Sequence, residues 1–158
     1  FAVIGEGEVT LLQLLDELRS ESPDLRKIKG AAFIAPDGSY AQNEPRPLIE
    51  DLDSLPMGAY DLIPTEKYHN LIYLEDFQKP KGMSVAFSRG CTAGCTFCSN
   101  NFIWNRTYRA RSGKLVADEL ELLYEKYGKS YHMICDQDFL MDQRRNQEQE
   151  RSLVSHHD

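Results

Sequence analysis

At 158 residues, 41% of them apolar and 27% charged, the chain is long enough for one modest globular domain with its own core. Its net charge of −7 argues against a general nucleic-acid binder, which needs excess Lys and Arg to displace counterions from phosphates. No apolar run approaches the roughly 20 residues that span a bilayer, and Phe1-Ala2-Val3-Ile4 lacks the basic flank of a secretory signal.

Phe1 to Ile4 reads as a buried strand, followed by a Gly5-Glu6-Gly7-Glu8 turn. Thr10 is the expected cap of the next helix, with Gln13 as its capping-box partner. Leu11, Leu12, Leu14, Leu15 and Leu18 give that helix an apolar stripe expected in the core, and Ser22-Pro23 is its expected end. Ile28 to Ala35 reads as a strand, Pro36-Asp37-Gly38 as a turn, and the residues after it as a short return strand. Pro45, Pro47, Pro56 and Pro64 punctuate an extended connector, because each disfavours helix in the residue before it.

Met83 to Phe87 reads as a short buried strand leading into the cysteines. Ser112 is the expected N-cap of a helix whose apolar face is Val116, Leu120, Leu123 and Tyr127, with Gly128 ending it. Tyr131 to Cys135 reads as the next strand, with Cys135 a buried strand cysteine. Strand, helix, strand in this order predicts a βαβ unit with parallel strands, whose carboxyl ends are where such folds place their chemistry. Residues 143–150 are polar, without an apolar face, and read as a frayed tail. The first residue is not Met and the last close no recognisable element, so the sequence reads as a fragment.

Three of the four cysteines, Cys91, Cys95 and Cys98, fall within "SRGCTAGCTFCSNN". Clustered cysteines without a spread-out framework indicate a reduced, cytoplasmic setting and a metal, not disulfides. A structural zinc ion wants four protein ligands, and His69, His132, His156 and His157 supply no second pair at a suitable spacing. A 4Fe-4S cube fits better: it takes one ligand per iron, so three thiolates leave one iron open for chemistry. Gly90 and Gly94 permit tight turns around it, and Phe97 stands where an aromatic can pack beside whatever the open iron binds.

Cys91-x3-Cys95-x2-Cys98 with Phe97 resembles the motif of the radical S-adenosylmethionine enzymes. The stretches "GEGEVTLLQLLDEL", "PRPLIEDLDSLPMGAYDLIP", "SRGC", "YRARS" and "DQDF", in that order, extend the resemblance to residues 1 to 142. They are similar to the cobalamin-binding members, which include anaerobic magnesium-protoporphyrin ester cyclases and hopanoid methylases. The resemblance implies an α/β chain in three parts: the end of a Rossmann-like cobalamin domain (1–24), a hairpin and connector (25–80), and the start of a partial (β/α)6 barrel (81–158). It implies a 4Fe-4S cluster on the three cysteines, S-adenosylmethionine on the open iron, and reductive cleavage to a 5′-deoxyadenosyl radical. It further implies cobalamin in the whole protein, an electron donor such as flavodoxin or ferredoxin, and a small-molecule, lipid or tetrapyrrole-like substrate undergoing methyl transfer or cyclisation. The rival reading is a non-catalytic module holding zinc or a structural iron–sulfur cluster.

The chain departs from the family pattern in places. Thr92 replaces the usual Pro after the first cysteine, and the usual Asp-Asp pair is Asp136-Gln137, followed by Asp138-Phe139. Asp136 is the position carried over as approaching the S-adenosylmethionine amino group, with Asp138 as substitute. The Asp-x-His-x-x-Gly segment that holds cobalamin is not in these residues, and the barrel reaches two of about six strands. Glu6 and Glu8 read as solvated turn residues or, by resemblance, as neighbours of the cobalamin nucleotide tail. Arg106, Arg109, Arg111 and Lys114 read as an anion site, a solvated loop, or partners of acidic Glu50, Asp51 and Asp53. Trp104 and Tyr108 read as packing residues.

Overall fold

A computed structural model describes residues 1–68 and 82–155. It resolves into two units, Phe1–Glu50 and Asp51–Asp158. In the first, β1 (Ala2–Val3) and β3 (Tyr40–Gln42) flank β2 (Ala31–Ile34), all antiparallel. The expected hairpin is present. Gly38 takes φ +84, and its N–H donates to Ala35 O at 2.9 Å. Asp37 accepts from both the N–H and the hydroxyl of Ser39, which holds its carboxyl below the usual range.

The helix α1 (Gly7–Glu17) begins and ends earlier than the sequence suggests, with Glu6 at the N-cap position. Thr10 is not a cap but a buried tie inside the helix. Its hydroxyl donates to Lys29 O at 3.1 Å and accepts from Arg46 Nε at 2.7 Å, while Gln13 accepts from Arg46 Nη2. Tertiary hydrogen bonds have taken both side chains expected to make the cap. Only Leu14 of the leucine stripe is buried, against Ile28, Ala31, Val3 and Leu25; Leu11, Leu12, Leu15 and Leu18 are exposed. A three-stranded sheet covers one narrow stripe of the helix, too little for all five. Phe1 and Ile4 are likewise exposed, so the first strand is not the buried one expected. Glu6 is buried rather than solvated, and its carboxylate accepts from Ile49 N at 2.5 Å.

In the second unit the connector forms three single 3-10 turns, Leu52–Ser54, Tyr60–Leu62 and Thr65–Lys67. Polar anchors hold it down. The Tyr60 hydroxyl donates to Glu119 Oε1 at 2.5 Å, and Arg111 pairs with Glu119 Oε2 at 3.2 Å. Arg111 also donates to the carbonyls of Leu55 and Pro56, and buried Lys129 donates to those of Thr65 and Tyr68. Burial and then the adjacent carboxylate raise the Tyr60 phenol well above its ordinary range.

Strand β4 (Gly82–Val85) is followed by β5 (Ser88–Gly90), the short helix α2 (Asn100–Ile103), β6 (Tyr108–Ala110), α3 (Gly113–Glu125) and β7 (Tyr131–Ile134). β4 and β7 pair in parallel across α3, the expected βαβ unit. Ser112 caps α3 by accepting from Leu115 N. Gly128, at φ +62, closes the helix, with Lys129 N donating back to Leu123 O. Met83, Val85, Phe87, Val116, Leu123 and connector residue Tyr60 form the core. The tail is not frayed: α4 (Gln143–Ser155) is anchored through Arg145, buried over the Phe139 ring at 4.5 Å. The helix also packs along α3.

Among the described residues no helix is long and apolar enough to cross a membrane. Tyr60→Phe deprives the buried Glu119 carboxylate of a donor. It is expected to cost about 1–3 kcal/mol, read as a lower denaturant midpoint at unchanged slope.

Candidate metal centre

The chain reaches the cysteines through a segment shared by two sheets. β4 ends at Val85; two residues on, β5 pairs antiparallel with β6 through Ser88↔Ala110, Arg89↔Arg109 and Gly90↔Tyr108. Arg111 N extends the ribbon by donating to Phe87 O at 2.8 Å. The ribbon closes residues 91–107 into a loop with a tight neck. Gly90 sits at φ +87, and a Cβ there would stand 2.1 Å from Thr107 O. Only glycine fits both the backbone angle and the space.

Inside the loop Cys98 N donates to Cys95 O at 3.1 Å, and Ala93 N to Cys91 Sγ at 3.4 Å. An N–H aimed at a cysteine sulfur is one of the levers that tune a bound cluster. Cys95 is exposed, and Cys91 and Cys98 are half-buried; none is in a disulfide. Phe97 is 92% exposed, beside the thiols rather than packed in the core. Asn105 and Arg106, both left-handed at φ +48 and +53, lie directly before Thr107 at the neck of the loop. Two successive non-glycine residues in that region are strained, a feature that gathers at functional sites. The Arg106 guanidinium packs over Gly94, where an added Cβ would meet it at 3.4 Å.

Among the described residues no three His, Cys, Asp or Glu side chains converge enough to hold one metal ion. A single zinc needs such convergence. A cube binds each thiolate at a different iron, so its sulfurs stand farther apart. The Cys91-x3-Cys95-x2-Cys98 spacing supplies three thiolates on one necked loop, one short of a closed four-ligand zinc site. His132, on β7, joins no such group; burial holds its imidazole below the ordinary range. His69, His156 and His157 lie outside the described residues. Cys135, expected buried, is exposed, with its N–H on Val85 O at 2.8 Å. The reason is that β4 and β7 form a two-stranded sheet whose core side faces α3, and no described residue covers the Cys135 thiol.

Asp136, just past β7, is set into the protein. Its side chain is 0% exposed. Oδ1 accepts from Phe87 N at 2.7 Å, Oδ2 accepts from Ser88 Oγ at 2.6 Å, and Arg145 Nη1 lies 3.9 Å away. Gln137 Oε1 accepts from Gly90 N at 3.1 Å. The sequence reading missed Ser88 and Arg145; "SRG" directly before Cys91 was the available signal. The basic stretch divides. Arg111 serves Glu119 and the connector carbonyls, Lys114 pairs with Asp118, and Arg109 lies over the Trp104 ring at 5.6 Å. Of the acidic connector residues, Asp53 accepts from Ser112 N at 2.8 Å.

No protein-family model matches the chain. An uncharacterized methyltransferase of Pyrococcus horikoshii is 34% identical over 143 residues, 90% of this chain and 29% of that protein. The anaerobic magnesium-protoporphyrin IX monomethyl ester cyclase of Rubrivivax gelatinosus is 35% identical over 142 residues, 86% of this chain and 24% of the cyclase. The chain thus spans about a quarter of the length of these relatives. Its fold matches part of the cobalamin-dependent S-adenosylmethionine radical enzyme OxsB, solved with aqua-cobalamin and S-adenosylmethionine bound. The TM-score is 0.70 at 20% identity, over 95% of this chain and 20% of that one.

Gly90→Ala combines a left-handed alanine with a carbonyl overlap at the neck. It is expected to cost more than about 2 kcal/mol and to speed alkylation of Cys91, Cys95 and Cys98. Gly94→Ala, which meets only a flexible guanidinium, is expected to change both measurements far less.

Proposed function

Because the chain belongs to the family of the anaerobic magnesium-protoporphyrin ester cyclases and related methyltransferases, we propose that it is the cluster-bearing part of a radical S-adenosylmethionine enzyme. Cys91, Cys95 and Cys98 hold a 4Fe-4S cluster and leave its fourth iron to S-adenosylmethionine. The observation that carries this reading is the Cys91-x3-Cys95-x2-Cys98 set of three thiols on one loop closed at Gly90 and Thr107. When bound, the cluster supplies the electron that cleaves S-adenosylmethionine and so begins radical chemistry.

The chain's own residues bind and position. Gly90 and Thr107 fix the neck of the loop, the Ala93 N–H polarises the Cys91 sulfur, and exposed Phe97 offers a face for the cofactor to pack against. In this reading residues 1–24 are the end of a cobalamin domain, 25–80 a hairpin and Pro-rich connector, and 81–158 the beginning of the barrel. In the whole protein cobalamin is a second cofactor, flavodoxin or ferredoxin is the electron donor, and the reaction is methyl transfer or cyclisation. The names of the relatives support that pair of reactions, and the solved likeness supports cobalamin. A lipid or tetrapyrrole-like substrate fits the same names, and a reducing cytoplasm fits four cysteines outside disulfides.

Anaerobic reconstitution with iron and sulfide tests the reading. About four irons and four sulfides per chain are expected, with an electron paramagnetic resonance signal on reduction that changes when S-adenosylmethionine is added. Serine in place of any one of Cys91, Cys95 or Cys98 is expected to lower the iron content sharply, whereas Cys135→Ser leaves it unchanged. Stoichiometric zinc with no cluster would overturn the proposal in favour of a structural metal module.

A further inference from the structure

The end of β7 reaches across to the segment that enters the cysteine loop. Asp136 accepts from Phe87 N at 2.7 Å and from Ser88 Oγ at 2.6 Å, and Gln137 accepts from Gly90 N at 3.1 Å. Three donors within four consecutive residues, the last directly before Cys91, are thus held by two neighbouring side chains. The carboxylate is fully enclosed, and Arg145, itself 2% exposed, stands 3.9 Å behind it. Arg145 is fixed in turn by the Phe139 carbonyl and ring. A carboxylate so enclosed has no surface for a ligand, but it does have the geometry to set a backbone.

We infer that Asp136 and Gln137 are positioning residues, a latch that fixes Phe87 to Gly90 and thereby the place of Cys91 relative to the strand ends. Asp136 acts on the metal site through the loop and does not touch S-adenosylmethionine. The inference rests on the cluster reading for its consequence, but the latch itself exists without any cluster. Hydrogen bonds to a buried carboxylate are strong enough to slow opening of the bonded amide by about tenfold or more. Releasing the latch lets Cys91 wander, which changes the hydrogen bonding and solvent exposure of the cluster, two determinants of its potential.

Two arms test this on the full chain. The first is hydrogen exchange of the metal-free protein. In the wild type the Phe87 and Gly90 amides exchange slowly. Asp136→Ala is expected to speed Phe87 by about tenfold or more, and Gln137→Ala to speed Gly90 alone. Asp136→Asn keeps an acceptor for Phe87 and a donor for Ser88, and is expected to restore most of the protection. The second arm is the midpoint potential and paramagnetic resonance spectrum of the reconstituted cluster without S-adenosylmethionine. Both shift in Asp136→Ala and Gln137→Ala, and lie near wild type in Asp136→Asn. Wild-type exchange and cluster spectra in both alanine variants, with only S-adenosylmethionine binding weakened, would overturn the latch and make Asp136 a contact residue. If Asp136→Ala does not fold, the mild Gln137→Ala variant decides. If the wild type assembles no cluster, the function reading fails and the exchange arm alone settles the latch.

Discussion

A carboxylate removed from water must recover its lost hydration from the protein, or it will be neutralised or expelled. Asp136 does so with the Phe87 N–H and the Ser88 hydroxyl from one segment and the Arg145 guanidinium from another. Phe87 and Ser88 belong to the passage from the parallel β4–β7 pair to the antiparallel β5–β6 ribbon. Arg145 belongs to α4, which has no apolar stripe of its own. One buried charge therefore joins the βαβ unit, the cysteine loop and the last helix. Removing any partner leaves the others with an unmet electrostatic demand, so these parts hold one another in register.

The connector is held by the same means. Its prolines limit regular structure to single 3-10 turns, and Tyr60 enters the core beside Met83, Val85 and Leu123. Glu119 on α3 binds the Tyr60 hydroxyl and the Arg111 guanidinium together, and Arg111 carries on to two connector carbonyls. Arg111 is also the residue whose N–H extends the ribbon to Phe87. The neck of the cysteine loop and the packing of the connector thus share one residue, through its backbone N–H at the first and its guanidinium at the second.

The parts legible in the sequence are those governed by local rules. The period of Val116, Leu120, Leu123 and Tyr127, with Ser112 and Gly128 at the ends, gave α3 because capping and amphipathicity are short-range. Pro36-Asp37-Gly38 gave the hairpin because only glycine readily adopts the angle found at Gly38. What escaped depends on distant partners. Thr10 and Gln13 look like a capping box, but Arg46, more than thirty residues away, claims both. The polar tail looks unanchored until Arg145 meets Asp136 and Phe139. The ribbon was hidden because one strand lies inside "SRGC" and the other inside a basic stretch, so neither shows alternation of polarity. Of the candidate site, the three thiols and their spacing were legible, while the neck that frames them was not.

The neck also bears on how three thiolates would serve the proposed redox cluster. A loop that merely carried cysteines would leave their spacing to thermal motion, and the potential of a cluster is sensitive to hydrogen bonding and solvent. Here Gly90 against Thr107 fixes the two ends of the loop, the left-handed Asn105 and Arg106 lead into that neck, and Arg106 rests on Gly94 between Cys91 and Cys95. The neck is closely packed, while Cys95, Phe97 and Phe102 remain exposed. That division suits the proposed chemistry. The protein must hold the cluster's place firmly from below, and the face above must stay open to a cofactor and a substrate that between them exclude water from the reaction.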